Sequence, residues 1–190
     1  MKKRILISSG GSGGHVIPAM AFYDHFKVNF DVFFVVDKRG SRFINGNKYK
    51  YEIIESPRLN FNFLNSPIII IKLLFSVLKS FFFLKKNKID IVLGTGGYMS
   101  FPICLAAKFF NIKIYLFEPN MVIGKANKFL LRFCKRLLCY SDQILNFPNN
   151  YKQKIFVINQ ILRKEIFNYK NTNKESVSNI LNLLILGGSQ

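Results

Sequence analysis

Ile5-Leu6-Ile7-Ser8-Ser9-Gly10-Gly11-Ser12-Gly13-Gly14-His15 is the stretch that decides the fold. Ile5 to Ile7 is a short apolar run, and Ser9, Gly10 and Gly11 end it, as a buried strand running into a tight loop would. Pro18 to Phe26 reads as the helix that follows, with proline near its first turn. The same device recurs at Ile89–Leu93, which ends in Gly94, Gly96 and Gly97. Val32–Val36, Tyr51–Ile54, Ile112–Phe117, Leu137–Tyr140 and Ile155–Ile158 read as further strands, and Pro102–Phe110 and Ala126–Phe133 as helices. Apolar strands alternating with helices predict an α/β domain with a doubly wound parallel sheet, covered on both faces. Such sheets bind ligands at the carboxyl ends of their strands, where both glycine loops fall.

Glycine admits positive φ and close backbone approach, so successive amides of Gly10 to Gly14 can form an anion-binding nest backed by a helix dipole. No Lys-Ser or Lys-Thr follows, which excludes the P-loop pattern, and the spacing is not a clean dinucleotide fingerprint. The alternative is a plain strand-to-helix turn. His15 closes the loop at the helix start, where a neutral imidazole can take a proton from a hydroxyl, or can be structural. Gly94-Thr95-Gly96-Gly97-Tyr98 carries the same nest argument, and two nests on one edge suit a ligand with two phosphates or two ligands. Glu118 follows the fifth strand and can act as a base or hold a sugar hydroxyl, while Asn120 is also a helix-cap candidate.

Working outward, the 190 residues are 49% hydrophobic and 20% charged, enough for a packed core and not a disordered composition. The net charge of +18 points to an anionic partner such as nucleic acid, a phosphorylated substrate or an acidic membrane surface. Abundant Lys, Asn, Ile and Phe offer a second explanation, a compositional bias spread over solvated faces. Cys104, Cys134 and Cys139 lack metal-ligand spacing and read as small buried residues in a reducing compartment. Neither a metal nor a cofactor is expected. The apolar run after the basic start is too short for a signal peptide.

Ile68 to Leu84 is 17 residues with two lysines, short and interrupted for a spanning helix. Lys72, Ser76, Lys79 and Ser80 share one helical stripe, which leaves a broad apolar face, and Lys85, Lys86 and Lys88 follow. This pattern predicts a helix that packs inward on one side and touches an anionic bilayer with Ile68, Ile71, Leu74, Phe75, Leu78 and Phe82. A core helix is the competing reading. Residues 169–180 read as a polar linker after a first domain of residues 1–168. Residues 181–190 then read as one strand and a glycine loop opening a second domain, which one strand cannot complete alone.

Gly10–Ala19 (GGSGGHVIPA), Gly94–Pro102 (GTGGYMSFP), Phe117–Leu130 (FEPNMVIGKANKFL), Asn159–Ile166 (NQILRKEI) and Leu183–Gln190 (LLILGGSQ), in that order, resemble the MurG family. The resemblance covers the family's N-terminal domain and the first strand and loop of its C-terminal one. It implies a Rossmann-like N-terminal domain of a two-domain GT-B glycosyltransferase, peripheral on the cytoplasmic face of the bacterial inner membrane. It further implies inverting, metal-free transfer of N-acetylglucosamine from UDP-N-acetylglucosamine to lipid I, the undecaprenyl-pyrophosphoryl-muramoyl-pentapeptide. By position, Ser12, Gly13, Gly14, Asn120, Arg163 and Ser189 would meet the donor, and Gly96, Gly97 and Tyr98 the acceptor. His15 and Glu118 would be catalytic. The family's usual His-Glu-Gln-Asn is here Phe117-Glu118-Pro119-Asn120, and of its Gly-Asn-Pro-Val-Arg only Arg163 remains. Two rivals stand beside this reading: a non-catalytic acceptor-binding half of a split or decayed transferase, completed in the split case by a separate C-terminal chain, and a basic nucleic-acid binder. Against the latter, the aromatics cluster in an apolar helix rather than interleaving with lysines, so no specific nucleic acid is expected.

Overall fold

A computed structural model describes residues 2–57 and 67–163 of the chain. The expected linker and second-domain strand, and Ser189, lie outside the described residues. The chain runs β1 (Arg4–Ser9), α1 (Gly13–Phe26), β2 (Asp31–Val36), β3 (Glu52–Ile53), α2 (Pro67–Lys86), β4 (Ile91–Gly94), α3 (Ser100–Phe109), β5 (Lys113–Glu118), α4 (Lys125–Leu130), β6 (Arg136–Cys139) and β7 (Ile155–Val157).

The seven strands form one sheet in the order β3-β2-β1-β4-β5-β6-β7, and every pairing is parallel. Strand side chains alternate between faces. Ile5 and Ile7 therefore join Val16, Phe22, Phe34 and Phe117 in the core beneath α1. Leu6 instead joins Leu84, Val92, Ile103, Leu116 and Leu130 beneath α2, α3 and α4. After β1 the sheet grows one way to β3, then returns to grow the other way from β4. The crevice between the carboxyl ends of β1 and β4 is the switch point of this topology.

The structure corrects the sequence reading in two places. Helix α1 begins at Gly13, not Pro18, so Pro18 lies in its second turn. Ser12 adopts extended backbone, and its carbonyl receives the amides of His15 and Val16, which starts the helix inside the glycine run. Helix α2 differs in orientation. The expected polar stripe splits: Lys72 and Lys79 are exposed, whereas Ser76 and Ser80 are buried against the domain. Their hydroxyls are satisfied locally, Ser80 Oγ donating to the Ser76 carbonyl at 2.7 Å and Ser76 Oγ to the carbonyls of Glu55 at 2.5 Å and Lys72 at 3.0 Å. Bonds of this kind satisfy small hydroxyls buried along a helix without a side-chain partner. The six apolar residues expected at a bilayer are left between 51% and 66% exposed. At 20 residues α2 is longer than expected, and by length and composition it is long and apolar enough to cross a membrane. Phe81 stacks on Phe110 at 4.2 Å, and the neighbouring Phe109, 79% exposed, extends the apolar surface past α3.

Candidate functional site

The two glycine loops meet over the switch point and interlock. Gly96 and Gly97 both have positive φ, at +94° and +77°, a conformation that costs an L side chain strain. Space is equally tight there. A Cβ on Gly96 would lie 2.6 Å from His15 Nδ1, and one on Gly97 would lie 2.6 Å from the Gly10 carbonyl oxygen. Here the glycines are required by close approach between loops.

His15 stands in the first turn of α1, half-buried. Its Nδ1 lies 2.9 Å from the Thr95 carbonyl oxygen. A carbonyl only accepts, so this hydrogen bond places the proton of the neutral ring on Nδ1 and leaves Nε2 with a lone pair. Thr95 closes the arrangement from the other side, its Oγ1 donating to the His15 carbonyl at 3.1 Å. The ring is thus held in one orientation and one tautomer by a residue of the second loop.

Asp37, at the end of β2, holds the first loop from beneath. Its buried carboxylate accepts the Gly11 amide at 2.9 Å and the Gly40 amide at 2.7 Å on Oδ1, and Arg39 on Oδ2. The first glycine of the loop is equally confined, since a Cβ on Gly10 would lie 2.9 Å from Asp37 Oδ1.

A cavity of about 210 Å³ opens beside His15, lined by Gly96, Gly97, Tyr98, Glu118 and the entry to α4 from Gly124 to Asn127. Glu118 is 1% exposed. Its Oε1 accepts the amide and side-chain nitrogens of Asn120 at 3.3 and 3.0 Å, and its Oε2 accepts the Gly124 amide at 2.8 Å and Asn127 Nδ2 at 3.0 Å. An ionised carboxylate offers about four lone-pair sites, so four N–H donors occupy it fully and order the loop between β5 and α4. Asn127 also donates to the Phe117 carbonyl at 3.0 Å, which fixes its amide and leaves its Oδ1 buried without a partner among the described residues.

The structure therefore brings His15, Gly96, Gly97, Tyr98 and Glu118 to one crevice, with Asn120 tied to Glu118. Ser12, Gly13 and Gly14 are not among the residues lining that cavity; they form the cap and first turn of α1 just before His15, where the first amides have no intrahelical partners. Arg163 is not brought there. It follows Leu162, whose carbonyl lies 3.2 Å from His25 Nε2 in the last turn of α1, about 15 Å of helix rise from His15. Phe117 is fully buried beneath α1, edge-on to Phe22 at 5.0 Å and Tyr140 at 5.4 Å, so this position serves the core and not the crevice. Among the described residues no three of His, Cys, Asp or Glu gather as a metal site. The sequence reading missed Thr95 as the partner of His15, Asp37 as the loop's anchor and Asn127. The available signals were a hydroxyl residue inside the second glycine run and a lone carboxylate at the end of a strand.

Residues 5–139 match the glycosyltransferase family 28 N-terminal domain. Over 190 residues the chain is 49% identical to the UDP-N-acetylglucosamine–N-acetylmuramyl-(pentapeptide) pyrophosphoryl-undecaprenol N-acetylglucosamine transferase of Pelagibacter ubique, covering 100% of this chain and 53% of that protein. Over 196 residues it is 33% identical to the transferase of the same name from Rickettsia felis, covering 99% and 53%. The crystal structure of Acinetobacter baumannii MurG superposes with a TM-score of 0.67 at 24% identity, over 83% of this chain and 45% of that one. The chain spans about half the length of the curated relatives it matches.

Proposed function

Since the chain belongs to the glycosyltransferase family 28 N-terminal domain family, we propose that it is the acceptor-binding half of an inverting hexosyltransferase. The reaction is transfer of N-acetylglucosamine from UDP-N-acetylglucosamine to undecaprenyl-pyrophosphoryl-muramoyl-pentapeptide, as the names of its relatives describe for them. The observation that carries the reading is His15, its Nδ1 held 2.9 Å from the Thr95 carbonyl oxygen so that a neutral ring offers Nε2 as acceptor, beside a cavity between two glycine loops. In the proposed step an acceptor hydroxyl attacks the anomeric carbon of the donor sugar. The bond from that carbon to the UDP oxygen breaks, UDP leaves, and the hydroxyl proton passes to His15 Nε2. Gly96, Gly97 and Tyr98 flank the acceptor's diphosphate, and Ser12, Gly13 and Gly14 offer helix-start amides to the donor. Glu118 acts by holding the crevice loop in shape, with Asn120 as its partner.

The exposed apolar face of α2 supports peripheral contact with the cytoplasmic face of an anionic inner membrane. A spanning role fits poorly, because α2 is the crossover between two strands of one sheet and buries Ser76, Ser80, Phe83 and Leu84 in the domain. Titration of the protein with a fluorescent polyprenyl-diphosphoryl acceptor in detergent micelles tests the reading. Saturable binding that Gly97→Val abolishes supports it, and binding indifferent to that substitution counts against it.

A further inference from the structure

The second glycine loop spends its carbonyls on the domain and keeps its amides free. Gly96 accepts Ser100 Oγ at 2.9 Å, Gly97 accepts the Ser100 amide at 3.3 Å, and Tyr98 accepts Ser56 Oγ at 3.0 Å. Among the described residues, the N–H groups of Gly96, Gly97 and Tyr98 have no acceptor. Gly96 is buried, Gly97 and Tyr98 are half-buried, and all three line the cavity beside His15. Sheltered backbone donors are ordinarily paired, and successive free amides in such a loop form a concavity that suits an anion. Lys125, at the entry to α4, lines the same cavity and is exposed. Its ammonium has no hydrogen bond or ion pair among the described residues. The carboxylate beside it does not claim it, because Glu118 is filled by four neutral N–H donors. Among the described residues, Lys125 is also the only lysine or arginine lining this cavity.

A row of neutral amides and one unclaimed ammonium in a single cavity suit two linked phosphates. The amides are fixed in the loop and set the position of one phosphate. The ammonium, a compact charge on a flexible stem, can follow the other. We propose that Lys125 is a specificity-determining residue of the acceptor site, meeting the second phosphate of the acceptor's diphosphate while the Gly96–Tyr98 amides hold the first. The inference rests on the acceptor reading of the crevice. Selection of a diphosphate over a monophosphate linkage then resides in a side chain of α4, and the glycine loop alone does not supply it.

Binding of two fluorescent polyprenyl-linked muramoyl acceptors to the full chain in detergent micelles tests the proposal, one joined through a diphosphate and one through a monophosphate. The control is Lys128→Ala, an equal charge change at an exposed lysine of α4 that does not line the cavity. Lys125→Ala should weaken the diphosphate acceptor roughly tenfold to a hundredfold, as loss of a charge-assisted hydrogen bond does, and leave the monophosphate acceptor unchanged. Lys125→Arg should restore most of the affinity, and Lys128→Ala should move neither acceptor by more than about twofold. Equal losses from Lys125→Ala and Lys128→Ala, or equal losses for both acceptors, would reduce Lys125 to a diffuse charge and overturn the assignment. A fall in Tm with the preference for diphosphate intact would make Lys125 a structural countercharge to Glu118 and overturn it as well. Failure of the wild type to bind either acceptor, or binding indifferent to Gly97→Val, would sink the acceptor reading itself and this inference with it.

Discussion

Gly96→Ala tests the interlock of the two loops. A Cβ at this position would meet His15 Nδ1 at 2.6 Å and Cε1 at 2.7 Å, with the backbone at φ +94°. Placing an L residue in such a conformation costs about 1–2 kcal/mol. The imidazole must also move, which breaks its 2.9 Å hydrogen bond to Thr95 and removes about 1 kcal/mol more. The total of about 2–3 kcal/mol corresponds to a fall in Tm of roughly 5–10 °C for a domain of this size. The decisive assay is a double-mutant cycle by urea denaturation. In a His15→Ala background the clash is gone, so Gly96→Ala should cost only its backbone part, and the coupling should be about 1 kcal/mol. Equal cost in both backgrounds, or a Gly96→Ala protein as stable as wild type, would refute the packing of His15 against the second loop.

Asp24 is buried in α1, where burial opposes ionisation. Hydrogen bonds from Lys27 and Tyr49 and the charges of Lys27 and Lys48 outweigh that cost and hold its pKa below the ordinary aspartate value. A lowered pKa stabilises the fold above the unfolded value of about 3.9 and loses that contribution as pH falls through the folded one. The gap in urea midpoint between wild type and Asp24→Asn should therefore be full near neutral pH and close in that acid window. Burial pushes the thiols of Cys104, Cys134 and Cys139 upward in pKa, so a thiol-specific dye near pH 8 should label them only as fast as the domain opens. Phe75→Ser with Phe82→Ser removes two rings that are 62% and 66% exposed. This pair should weaken vesicle binding by roughly tenfold or more per ring, as read by co-sedimentation, while leaving Tm within about 2 °C of wild type.

The strands were legible because each is a short apolar run closed by a turn signal, and the placing of both glycine loops at the carboxyl edge of a parallel sheet followed from their alternation with helices; the strand order that makes the crevice a switch point came only with the fold. The start of α1 was not, since Gly13 and Gly14 are poor helix formers that a loop reading absorbs, and only the Ser12 carbonyl bonds reveal the helix beneath them. The orientation of α2 defeated a polarity argument. Ser76 and Ser80 bond back to the chain and behave as small packing residues, so the stripe counted as polar is half inward. In the site, His15 and the glycines announced themselves by type, whereas Thr95 and Asp37 act through contacts that span 80 and 26 positions of sequence. No local pattern encodes such pairs. The carboxylate of Glu118 was found at the right place, but its four donors became visible only with the fold.

The most direct test of the account is transfer of labelled N-acetylglucosamine from UDP-N-acetylglucosamine to an undecaprenyl-diphosphoryl acceptor. The protein would be assayed with the remaining half of the Pelagibacter ubique relative supplied as a separate chain. Transfer by the mixture should fall by about 10²–10⁴ with His15→Ala, while acceptor binding by that variant persists. Transfer unchanged by His15→Ala, or no transfer from a mixture in which the two chains demonstrably associate, would contradict the assignment.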